Sequence, residues 1–306
     1  MADGHDAQDV DDDGYFPRGR SVLRMVMEER LVGMLYGSRA LVVGALEPMA
    51  FTGTYLRSRA TRSGDYYGRL LDTQAAFEDV FFGTRAEADA TLARVARLHA
   101  GVKGTVTDGI GPDYPAGSSY SASDPWLALW TMGVLCESAY AVYRTYVRDL
   151  TAEEKAAYWE DWQRFGRLFG MPADAAPGTW DEFREVYFGF IHSDRPHVLQ
   201  MANRAAIAVV KFPGQPPVAP GPAVMYLLMV GTLPDRVRRL HGLRWGTAEQ
   251  LAWLPLRDSA RVAGAVLPEA LRRGRVGARA RRILDPLRDR EAARIRELQS
   301  RLPMPG

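Results

Sequence analysis

Apolar residues recur along this chain at the three- and four-residue steps of amphipathic helices, and rarely at the two-residue step of a strand. Around "ATLARVARLHAGVKG", Ala88, Leu92, Val95, His99 and Val102 follow one another at steps of four, three, four and three. His99 therefore takes a leucine's place on a stripe expected to turn inward. The pattern predicts helices over 20–36, 38–56, 65–82, 85–103, 124–149, 151–169, 179–191, 197–211, 222–231, 247–254, 257–273 and 278–301. Thr84 with Glu87 and Thr151 with Glu154 have the spacing of capping boxes, and Asp124 precedes a proline suited to a first helical turn. Gly83, Gly104 and Gly170 stand where helices should stop.

The expected fold class is all-α, without internal repeats. One large domain of ten or more helices, 15–306, follows an acidic, disordered tail, 1–14. "KFPGQPPVAPGP" could set off a C-terminal helical cap, 222–306, and the loop 107–123 is long enough to gate a pocket.

Composition narrows the function. The chain has 306 residues, 47% hydrophobic and 25% charged, as in globular domains with a sizeable core. A formal charge of +2 argues against wrapping nucleic acid. The basic run "LRRGRVGARARR", 271–282, reads as a solvated helix face or as a patch for a polyanion or membrane surface. Cys136 is the only cysteine, set among apolar neighbours, so an inert buried thiol in a reducing compartment is expected. The acidic start does not resemble a secretory signal, and no apolar run reaches the roughly twenty residues of a spanning helix. A cytoplasmic protein is the expectation.

Generic chemical motifs are missing. There is no phosphate-binding glycine loop, no HExxH, no cysteine–histidine metal cluster and no GxSxG elbow. His192 and His197 flank "SDRP", where Pro196 breaks a shared helical face. His241 stands before Gly242 as a helix-end residue. His99 can be read as a hydrogen-bonded core histidine or as a ligand or catalytic group.

Longer stretches carry a resemblance. "GSRALVVGALEPMAFTGTYLRS", "YYGRLLDTQAAFEDVFFGTRAEADATLARVARLHAGVKGT", "DPWLALWTMGVLCESAYAVYRTYVRDLTAEEKAAYWEDWQRFGRLFGMP" and "TWDEFREVYF" occur in the order and rough spacing of the MpaB/rubber-oxygenase family, which includes the latex-clearing oxygenases. "LPDRVRRLHGLRW" extends the likeness more weakly. The resemblance implies an all-helical fold in which a b-type haem serves dioxygen chemistry on an apolar substrate, with His99 of "RLH" matching the proximal ligand. On the opposite side, "RLLDT" resembles the family's Arg-x-x-(Lys or Arg)-Thr pattern. There Arg69 would pair with a haem propionate or polarise oxygen, and Thr73 would donate a hydrogen bond.

The chain departs from its relatives at four places. Asp72 replaces a basic residue, Glu47 stands in "EP" where relatives read "HP", "LRS" replaces "EHS", and Met132 replaces the histidine of "WVHA". The resemblance thus carries Arg69, Thr73, Asp72 and Glu47 to the catalytic side, and His99, Arg69, Thr73 and Met132 to the cofactor side, with His99 as the metal ligand. Phe51, Tyr55, Phe77, Phe81 and Trp130 are the aromatics expected to meet substrate. The leading reading is a haem-b oxygenase acting on a hydrophobic small molecule, plausibly of secondary metabolism. A haem-free acid–base enzyme using Glu47, Asp72 or Arg69 is a second reading, and a non-enzymatic haem or apolar-ligand carrier a third.

Overall fold

The computed structural model describes residues 14–56, 66–210 and 221–276; the side chains of 53–56, 66–69 and 71 lie outside the described set. Helices dominate. In chain order they are α1 (Val22–Met27), α2 (Arg30–Gly44), α3 (Pro48–Leu56), α4 (Tyr66–Phe82) and α5 (Arg85–Ala100), then, after a small hairpin, α6 (Pro125–Tyr146), α7 (Ala152–Leu168), α8 (Trp180–His192), α9 (Gln200–Val210), α10 (Pro222–Val230), α11 (Asp235–Leu240), α12 (Thr247–Val266) and α13 (Glu269–Arg272). The hairpin joins β1 (Lys103–Thr105) antiparallel to β2 (Ser119–Ser121), with Gly104 opposite Tyr120.

The helices α2 and α6 form the central pair. Both are apolar on nearly every face, as a helix surrounded by others must be. Around them, α7 and α8 pack on one another and on α6, α9 and α10 lie on α2, and α12 lies on α6 and α10. The segment 222–276 is thus packed directly on the central helices. Among the described residues no helix is long and apolar enough to cross a membrane.

The helix starts follow local chemistry. Thr84 and Glu87, Thr151 and Glu154, and Thr179 and Glu182 form reciprocal capping boxes. Each such cap stabilises by about 1 kcal/mol. Asp124 accepts from the Leu127 amide at 3.0 Å, and Pro125 opens α6.

Four expectations are corrected. The predicted helices 20–36 and 38–56 are three, because Glu29 is extended and its carboxylate takes Arg272 and Arg273, 3.2 Å away in the second pair. A carboxylate held by distant arginines overrides local helix propensity. Gly104 lies inside β1, and α5 ends sooner, capped at Gly101. The predicted pair 247–254 and 257–273 is mostly one helix running through Pro255, followed by short α13. Short α11 lies outside the predicted spans, although His241, expected at a helix end, is its C-terminal cap. The predicted helix 278–301 and the acidic tail up to residue 13 lie outside the described residues.

Candidate functional site

A two-residue link, Gly83–Thr84, joins α4 to α5, and the two helices pack together. The Thr91 hydroxyl donates to Asp79 Oδ2 at 3.0 Å and fixes their register. The segments 69–73 of α4 and 97–101 of α5 are toward the ends remote from the link. The hairpin therefore carries His99, Arg69, Asp72 and Thr73 to one end. Asp72 and Thr73 are exposed, and the Arg69 side chain lies outside the described set.

His99 itself is exposed, contrary to its expected inward position. Burial along the stripe fades from Ala88, fully buried, through half-buried Leu92 and Val95 to the last turn. The stripe loses its cover after Thr91, so its end faces solvent. Nearby protein mass still lowers the imidazole's pKa by desolvation, which favours the neutral ring with a free lone pair. No side-chain hydrogen bond engages that ring among the described residues, so the hydrogen-bonded core histidine is not what the structure contains.

A second constellation forms at the start of α3. Glu47 is 1% exposed, and its Oε2 accepts from the Ala50 amide at 2.9 Å, as a helix-capping carboxylate does. The Tyr114 hydroxyl lies close to the same carboxylate, and Arg195 lies near enough to attract it. Desolvation nevertheless dominates and raises the Glu47 pKa. Burial and the Glu47 charge push the Tyr114 phenol up as well. Arg195 Nε donates to Asp113 Oδ2 at 2.6 Å while its guanidinium lies 5.2 Å over the Trp126 ring. The loop 107–123 is therefore clasped to α3 and to the segment after α8. Gly111, at φ +129°, makes the approach possible, since a Cβ there would meet His197 at 2.9 Å. This arrangement can hold or move a proton at Glu47, with Tyr114 and Arg195 setting its affinity.

The remaining expected residues are spread through the core. Met132 is buried beside Gly166 of α7. Phe81 and Trp130 are core, Phe77 packs edge-on against Phe165 at 5.5 Å, and Phe51 is half-buried. The Tyr55 side chain lies outside the described set. Cys136 is fully buried with a raised pKa, an inert thiol. His192 and His197 are exposed, and no cluster of three metal-ligating residues occurs among the described residues.

Sequence reasoning passed over Tyr114 and Arg195, whose partners come from distant elements. It also passed over a buried pair of charges. Arg39 donates to Ser138 Oγ at 2.9 Å and to the Thr232 carbonyl, close to fully buried Glu137, whose Oε2 lacks a hydrogen-bond partner. Burial raises the Glu137 pKa against the pull of Arg184, Arg39 and Arg144. A signal existed: each charge interrupts a long apolar run.

Comparison with known proteins agrees with this architecture. The model of the family described as ER-bound oxygenase mpaB/B'/Rubber oxygenase, catalytic domain, matches residues 24–267. No curated protein and no solved structure matches the chain. The match runs from α1 to the end of α12 and takes in His99, the "RLLDT" stretch, Glu47 and Tyr114. The chain belongs to the mpaB/rubber-oxygenase catalytic-domain family.

Proposed function

We propose that the protein is a haem-b-dependent oxygenase that joins dioxygen chemistry to a hydrophobic small molecule, with His99 as the iron's protein ligand. What supports this reading is the imidazole of His99, which desolvation keeps neutral and which no side-chain hydrogen bond engages among the described residues, on the helix that the Gly83–Thr84 link joins to the one bearing Arg69 and Thr73. A single neutral imidazole is a donor that haem iron takes, so His99 fits the group. When bound, the haem would supply the one-electron and oxygen chemistry that amino-acid side chains lack. Arg69 is the cation available for a propionate, and the Thr73 hydroxyl is a hydrogen-bond donor one turn further along. Asp72 sets a negative charge where relatives carry a positive one, which lowers the potential at that end of the hairpin. Met132, packed beside α7, acts through the core. A reducing, cytoplasmic setting suits the lone Cys136.

The test is the absorption spectrum of the purified protein and its titration with haemin. A Soret band that is lost in His99→Ala supports the reading. A colourless protein that takes up no haemin overturns it.

A second reading rests on Glu47. A carboxyl buried this deeply, with a raised pKa and a tyrosine donor, suits acid–base chemistry on an apolar metabolite without haem. It would gain if Glu47→Gln abolished turnover in protein free of haem.

A further inference from the structure

The segment that follows α12 is tied to the fold by polar contacts along one line, from the α1–α2 junction to the end of α4. Arg272 and Arg273 both meet the buried Glu29 carboxylate, the second at 3.2 Å. Arg273 forms an isolated antiparallel bridge with Glu29, and the Gly274 amide donates to the Glu28 carbonyl at 2.7 Å. Gly274 is at φ +149°, a backbone conformation that a side chain would strain. Arg275 donates to the carbonyl of Phe82, the last residue of α4, and its guanidinium lies 5.6 Å over the Phe82 ring. The Val276 amide donates to Oε1 of buried Glu78 at 3.2 Å. The Val276 side chain fills a notch in α2, where a Cβ on Gly33 would lie 2.8 Å from its Cγ2.

This attachment differs in kind from the core. Neither α12 nor α13 contains a buried residue, and between 268 and 276 the one apolar side chain that is even half-buried is Val276. Apolar burial is what ties a segment to global unfolding. A segment held by ion pairs and backbone bonds can open alone, because water replaces its partners and the Glu29 carboxylate exchanges arginine for solvent. The segment also lies beyond residue 267, the last in the matched family span. Its far anchors, the Phe82 carbonyl and Glu78, belong to the end of α4 that the Gly83–Thr84 link joins to α5.

We infer that 269–276 is a releasable strap. Docked, it clamps the linked end of the α4–α5 hairpin to the α1–α2 junction. Lifted, it frees that hairpin, which carries His99, while the core stays folded. This goes beyond the oxygenase reading and does not rest on it.

The experiment is residue-resolved amide hydrogen exchange on the full chain. The Gly274 and Val276 amides should be protected, yet exchange at least about a hundredfold faster than those of α2 and α6. Two variants release the strap from different sides. Glu29→Gln removes the charge that both arginines share. Gly33→Ala raises the helix propensity of α2 while its methyl displaces Val276. Each should speed exchange at Gly274 and Val276 at least about tenfold and leave the urea midpoint of the core in place. The Gly83 amide, bonded to the Asp79 carbonyl at 3.0 Å beside Phe82, should quicken with them. Strap amides that exchange only at the rate of α2 and α6, or that are unprotected in the wild type, would overturn the inference. So would strap exchange that neither variant quickens, or a Gly83 amide indifferent to a strap that has been released.

Discussion

His241 reaches across the fold to the carbonyl oxygen of Val42, its Nε2 lying 2.8 Å away. Val42 is in the last turn of α2, where carbonyls lose their intrahelical partners. The imidazole N–H donates to that orphan oxygen. On its other side, Nδ1 lies 2.9 Å from Asn203 Oδ1, and with that amide turned over its NH2 group donates to the neutral ring. Trp130 Nε1 donates to the Gly44 carbonyl at 3.2 Å, so the end of α2 is closed by two side chains from distant helices.

Replacing His241 by Phe should leave the buried Val42 carbonyl and the half-buried Asn203 amide without that partner, at a cost of about 1–3 kcal/mol. Urea denaturation at neutral pH measures it. The residue also sets an acid limit, since burial lowers its pKa from 6.5 to about 4. Between those values the unfolded chain binds a proton that the folded chain refuses, so stability falls as pH drops from 6.5 towards 4. The loss is about 3 kcal/mol when complete. The His241→Phe variant should lose this component of the pH dependence.

Glu47 has the opposite sign. Its folded pKa is raised above 4.5, so the folded state holds that proton more tightly than the unfolded one. The resulting stabilisation is present at low pH and disappears as pH rises through the folded value. Glu47→Gln imitates the protonated carboxyl, so its stability relative to wild type should improve as pH rises above 4.5 and level off once the folded carboxyl has ionised. A flat difference across that range would show that the carboxyl is not perturbed.

Tyr114→Phe removes the hydroxyl that ties the loop 107–123 to Glu47. Amide exchange should quicken at Ile110, whose amide donates to the Tyr114 carbonyl, while exchange in α2 stays unchanged.

A Cβ at Gly231 would overlap Trp253 Nε1. Gly231→Ala should therefore displace the indole and loosen α12 from α10, destabilising by about 1–3 kcal/mol. Tryptophan fluorescence and thermal melting report it. His99→Ala, by contrast, removes an exposed ring with no hydrogen bond and should change stability by no more than about 0.5 kcal/mol.

The helices with capping boxes were legible because their signals are local: Thr84, Thr151 and the Asp124–Pro125 pair need only their own next turn. The break at Glu28–Glu29 was not, because its cause is Arg272 and Arg273, more than two hundred residues away. Pro255 was misread as a boundary. Its exposed position lets solvent take the carbonyl that loses its donor, so the helix continues. The hairpin 103–121 has three-residue strands, too short for alternation to register. In the site, His99 was found by resemblance and its inward orientation expected from periodicity. Periodicity gives a direction around the helix, but not how far along it the cover extends. Glu47 was singled out from its departure at "EP", whereas Tyr114 and Arg195 meet it only in three dimensions.

The shortness of the Gly83–Thr84 link has a consequence for how this family member can vary. Two residues leave no slack between α4 and α5, and Asp79 pins Thr91 on the far side of the turn. Inserting one residue anywhere between Thr91 and His99 would rotate the imidazole by about 100° and advance it by about 1.5 Å. It would then project from a different side of α5 than the one that Thr91 fixes against α4. Lengthening the chain in that interval is thus tolerable only in whole turns, a constraint of phase rather than of chemistry.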